Sequence, residues 1–104
     1  MLRSLGQRQV TGGEEDPRVA GLRTAVSRLR RELALLPTEF PDRSIAEDEL
    51  AALAAMAAGG APETRRMRRS LLLIAGSIGS VSALSRGLQE VRDAVDLFGT
   101  PPRD

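Results

Sequence analysis

No His, Cys, Lys, Tyr, Trp or Asn occurs in this chain. Each absence removes a class of chemistry. Without His or Lys, proton transfer near neutral pH falls to carboxylates alone, and those would need deep burial to be tuned. Without Cys there is no disulfide framework, and without Cys or His there is no zinc ligand set. A serine nucleophile would lack its usual base. The sequence therefore reads as non-enzymatic, with no catalytic, metal-binding or cofactor-binding residues to nominate. Aromatics amount to Phe40 and Phe98.

What is present is charge, alanine and leucine. All fifteen basic residues are Arg, against fourteen acids, a net charge of +1. A balance so near zero gives no global field to attract nucleic acid or membrane. The charge is segregated, however. Residues 17–36 carry +4, residues 37–60 carry −4 and residues 61–69 carry +3, which predicts helices of opposite sign lying side by side. The longest uncharged run, residues 70–85, is sixteen long. That is short of the roughly 20 residues a spanning helix needs, so membrane association is not expected. The first ten residues show no signal-peptide pattern, and a cytoplasmic location is expected.

The chain divides into an arm at residues 1–15, a helical domain at 16–99 and a tail at 100–104. Low hydrophobicity and Gly6, Gly12 and Gly13 predict a disordered arm. Asp16 followed by Pro17 is a helix start, and Pro37 stops that helix. Between them Val19, Leu22, Val26, Leu29, Leu33 and Leu36 recur in steps of three and four, an unbroken seam. Phe40 is expected to plug one end of the core. Ser44 with Glu47 reads as a capping box opening an alanine-rich second helix, with Ile45, Leu50, Leu53, Met56 and Ala57 as its buried candidates and Gly59-Gly60 as its end. Pro62 opens a third helix.

Residues 71–98 organise the rest. Met67, Leu71, Ile74 and Ile78 form one seam, and Leu84, Leu88, Val91, Val95 and Phe98 form another, one residue out of phase. Gly76 and Gly79 each weaken helix continuity by about 1 kcal/mol relative to Ala. The slip predicts a break near residues 79–82, with Ser80 or Ser82 capping a fourth helix. The expected fold is all-α, a small antiparallel four-helix bundle. The alternative is three helices, the last running unbroken over residues 62–98. The predicted core is Val26, Leu29, Leu33, Leu53, Leu71, Ile74, Ile78, Leu88, Val91 and Val95.

Arg65, Arg66, Arg68 and Arg69 fill the first two turns of the third helix, where they oppose its dipole. Pairing with the acidic second helix is the structural explanation. A basic patch for a partner is the functional one, and these four residues are the candidate partner-binding site. Leu71, Leu72, Leu73 and Ile74 cannot share one helical face, which favours either a central helix or a homo-oligomer. The expected function is a protein–protein interaction or adaptor module that self-associates. The alternative is nucleic-acid binding through the same arginines, and the third reading is a membrane-associated helix at residues 70–85.

The segments DPRVAGLRTAVSRLRREL, LAALAAMAAGG and RRSLLLIAGSIGSVSALSRGLQEVRDAVDLFG together resemble a family of short uncharacterised actinobacterial proteins, a domain of unknown function. The resemblance covers residues 16–99. It implies an intracellular helical protein and carries no catalytic motif. Similar helical pieces occur in small adaptor domains attached to bacterial conflict and signalling effectors, an analogy of fold alone.

Overall fold

The computed structural model describes residues 15–37 and 39–99, among which there are four α-helices, one 3-10 turn and no strand. Helix α1 spans Pro17–Leu35, α2 Arg43–Ala58, α3 Thr64–Ile78 and α4 Ser85–Gly99, with the 3-10 turn at Ser82–Leu84. The arm expected at residues 1–15 (Glu15 apart) and the tail at 100–104 lie outside the described residues.

The start of α1 follows its sequence signal. The Asp16 carboxylate accepts the Arg18 backbone N–H at 2.8 Å, and Pro17 occupies the first turn, where it forfeits no helix hydrogen bond. The signal for α2 is read differently. Its N-cap is Asp42, without a side-chain cap bond, and the helix starts at Arg43 instead of using a Ser44–Glu47 box. Glu47 instead pairs with Arg43 one turn earlier, at 3.2 Å. Gly60 closes the α2 end with φ at +83°, a conformation in which other residues are strained. Pro62 lies just outside α3, whose N-cap is Glu63.

The break between α3 and α4 falls where the seams slip. Helix α3 ends at Ile78 and is capped by Gly79, and the 3-10 turn then leads into α4. The long third helix of the alternative reading does not form. Neither Ser80 nor Ser82 caps this turn, of which Ser82 is the first residue. Val81 is the N-cap of the 3-10 turn that leads into α4, and Ser85 donates its hydroxyl to the Ser82 carbonyl at 3.0 Å.

Four contacts tie neighbouring helices together, and three of them join the start of one helix to the end of another, as antiparallel packing requires. The Arg18 guanidinium, at the start of α1, stacks 4.8 Å from the Phe98 ring centroid at the end of α4. Arg43, at the start of α2, donates to the Leu36 carbonyl at 2.9 Å and to that of Leu33 at the end of α1. Ser70 of α3 donates to Glu49 of α2 at 2.8 Å. Arg68, near the start of α3, lies against Gly99 at the end of α4. Helices α1 and α3 each pack on both α2 and α4, so the bundle is a ring of four.

All ten predicted core residues are buried, joined by Val19, Leu22, Leu50, Met67 and Leu84 and by the small Ala25, Ala46, Ala57 and Ala94. Burying each large side chain contributes about 1.5–3 kcal/mol. Phe40 packs against the core from one end. Helix α2 departs from expectation at two positions. Ala46 is buried in place of the expected Ile45, which is left 42% exposed, and Met56 is only half-buried. The seam of α2 therefore runs Ala46, Leu50, Leu53, Ala57.

Candidate functional site

Helix α3 has two stripes. The inner one, Met67, Ser70, Leu71, Ile74 and Ile78, enters the core. The outer one runs Arg65, Arg69, then the adjacent Leu72 and Leu73, then Gly76, in steps of three and four on either side of the leucines, and Ser80 continues its line just past the helix end. All of these are exposed. Leu72 is 74% exposed and Leu73 42%. The leucine run expected to need burial on several sides thus finds only Leu71 and Ile74 a place inside this chain. The other two lie outside, one to two turns past the arginines.

The four candidate arginines are all exposed, and they do not converge. Arg65 and Arg69 share the outer stripe. Arg66 turns toward α2 and lines a groove of about 330 Å³ with Ala55, Met56 and Gly59. Arg68 turns toward α4, its guanidinium at Gly99, where the negative end of that helix dipole favours a cation.

Pairing with the acidic helix does not occur. Among the described residues, none of the four arginines forms an ion pair or a side-chain hydrogen bond. Register and helix face together are the cause. The Ser70–Glu49 bond aligns the antiparallel helices so that the acids Glu47, Asp48 and Glu49 lie alongside the middle of α3. Arg65 and Arg66, a turn or more further toward the α3 start, lie alongside the alanines of α2, whereas Arg68 and Arg69, next to Ser70, point away from α2 on other faces of α3. The arginines of α1 are better partnered. Arg28 reaches Glu32 at 3.6 Å and Glu90 at 3.4 Å. Arg18 and Arg23 bind Asp16 and Glu15, and hydrogen bonds from these guanidinium groups hold both carboxyls below their ordinary pKa values.

Sequence reasoning did not single out the surface beside the outer stripe. A groove of about 570 Å³ runs between the α1–α2 connection and the end of α3. Leu36, Phe40 and Val81 give it apolar walls, and Asp42, Gly76, Ser77 and Ser80 line its polar side. Asp42 is exposed and, among the described residues, forms no ion pair. A Cβ on Gly76 would meet nothing within 4 Å, so the space above it is open. The one available signal was an Asp just before a helix and a Gly inside another, too weak to join two points far apart in sequence.

The described residues contain no group of three or more acids that could hold a metal ion, and no helix long and apolar enough to cross a membrane.

Residues 11–99 match the model of a family of unknown function, DUF5955. No curated protein and no solved structure matches the chain.

Proposed function

We propose that this chain, which by that match belongs to the DUF5955 family, is a non-enzymatic interaction module that binds a protein partner through the outer stripe of α3. One observation carries the reading. The helix whose inner face builds the core presents exposed Leu72 and Leu73 on its outer face, in line with Arg65 and Arg69, which form no ion pair among the described residues. An isolated exposed leucine needs no explanation, but two adjacent ones bordered by cations have the apolar centre and charged rim of a contact surface. The absence of His, Lys and Cys supports a non-catalytic role. We also propose that it works in the cytoplasm of an actinobacterium, a reading that rests on the resemblance carried by residues 16–99.

A photo-crosslinking residue placed at Leu72 in the producing cell tests this. Protein adducts that disappear when Arg65 and Arg69 are both changed to Glu are the expected result. Adducts to nucleic acid, lost steeply with added salt, would favour the reading in which the same arginines bind phosphates. No adduct at all, or adducts to lipid, would sink the proposal.

A further inference from the structure

We infer that the partner of the α3 outer stripe is the same stripe on a second copy of this chain, packed antiparallel. The inference rests on the interaction reading above and adds the occupant and the geometry.

The stripe is ordered along its length. Cations lie at its start (Arg65, Arg69), leucines at its centre (Leu72, Leu73), and a small-residue groove with an acid at its end (Gly76, Ser80, Asp42). A surface with plus at one end, apolar in the middle and minus at the other is complementary to itself when reversed. That is the requirement for a two-fold interface, in which the same patch serves both copies.

The spacing fits. With the two-fold axis between Leu72 and Leu73, Leu72 of one copy lies opposite Leu73 of the other. Arg69 then lies opposite Gly76, and Arg65 opposite Ser80. Both Gly76 and Ser80 line the groove that holds Asp42. Gly76 leaves open space where any other residue would have a side chain, so a guanidinium can pass over it to the Asp42 carboxylate. The two-fold axis keeps α2 of both copies on the same side of the interface. Ile45 is also exposed, and the Ser70–Glu49 register brings its turn of α2 level with Leu73 and Ile74 of α3, so it adds to the apolar centre.

This arrangement also accounts for a violation of helix electrostatics. Arginines in the first turns of α3 oppose its own dipole. In the antiparallel pair they sit at the carbonyl end of the partner's α3, where the dipole attracts them. A parallel pair would instead place Arg65 against Arg65 and Arg69 against Arg69, and this repulsion selects the antiparallel form.

The test uses the full chain and two variants, Arg69→Glu and Asp42→Arg, with mass followed by sedimentation equilibrium. Circular dichroism and thermal melting check that each variant is folded. The wild type is expected to associate as a dimer. Each variant alone should have its dissociation constant raised by about tenfold or more. An equimolar mixture of the two should regain the dimer. In the mixed pair the Arg69→Glu copy meets the Asp42→Arg copy with opposite charges at one contact and the native pair at the other. A wild type that stays monomeric to about 1 mM, roughly the weakest association of interest, would overturn the inference. Protein adducts of a different mass at Leu72 in cells would still leave the interaction reading standing. A dimer indifferent to both substitutions, or folded variants whose mixture gains nothing, would also overturn it.

Discussion

Ser70 donates its hydroxyl to the Glu49 carboxylate at 2.8 Å, across the seam between α2 and α3. Ser70 is only 4% exposed, while Glu49 is half-buried. The bond fixes the register that sets the acids of α2 alongside the middle of α3, beyond Arg65 and Arg66. Ser70→Ala leaves a carboxylate able to recover water, so the cost is that of an ordinary hydrogen bond, about 1 kcal/mol, rather than of a stranded buried charge. The urea midpoint should fall with an unchanged slope. Glu49→Gln, whose amide oxygen still accepts, should lose less.

Arg43 closes the end of α1 from the start of α2. Its side chain is 14% exposed, and its guanidinium serves the Leu33 and Leu36 carbonyls while pairing with Glu47 and lying 5.9 Å from the Phe40 ring centroid. Arg43→Ala should cost about 2 kcal/mol, since two helix-end carbonyls lose a charged donor. Arg43→Lys should recover less than half, because one ammonium cannot reproduce the planar fork. Thermal melting of the three forms would show the order.

The seams of α1, α3 and α4 were legible because large apolar residues recur there at helical spacing against charged neighbours, and the break was legible because Ile78 and Leu84 belong to seams out of phase. Helix α2 was less so. Alanine lines several of its faces, so sequence alone could not decide between Ile45 and Ala46. Tertiary packing decides it, with Ala46 fully buried. The arginine cluster was visible as charge, but that it finds no ion pair among the described residues depends on the register set by Ser70 and Glu49 and on the faces of α3 that Arg68 and Arg69 occupy. The groove joining Asp42 to Gly76 exists only once α2 and α3 are side by side.

Acid should loosen the start of α1 first. Guanidinium hydrogen bonds lower the carboxyl pKa of Glu15 (Arg23) and Asp16 (Arg18) from their ordinary values of 4.5 and 3.8. A folded pKa below the unfolded one means a stabilising contribution that is present above the unfolded value and lost as pH falls through the folded one. Amide protection at Arg18, Val19 and Ala20 should therefore fall as pH drops below about 4.5, before the core opens. Equal loss along all four helices would contradict this, as would protection that rises with acid.

Gly21, Gly76 and Gly87 all lie within helices, yet substitution should act on them in opposite directions. At Gly21 and Gly76 an added Cβ meets nothing within 4 Å. Ala there removes backbone freedom from the unfolded chain at no steric cost, so each change should stabilise the monomer by up to about 1 kcal/mol. At Gly87 the added carbon would stand 2.9 Å from the Leu29 Cδ1 and press on the Glu32 carboxylate. Glu32 can swing away, but Leu29 is fully buried and has nowhere to go. Gly87→Ala should therefore be destabilising by about 1 kcal/mol, the overpacking cost exceeding the propensity gain. Denaturation at concentrations low enough to keep the chain monomeric separates the three. At higher concentration Gly76→Ala should part company with Gly21→Ala, because its methyl narrows the approach of a partner's Arg69 to Asp42. A Gly76→Ala variant that is more stable as a monomer but weaker as a dimer would identify contact between copies as what keeps glycine there.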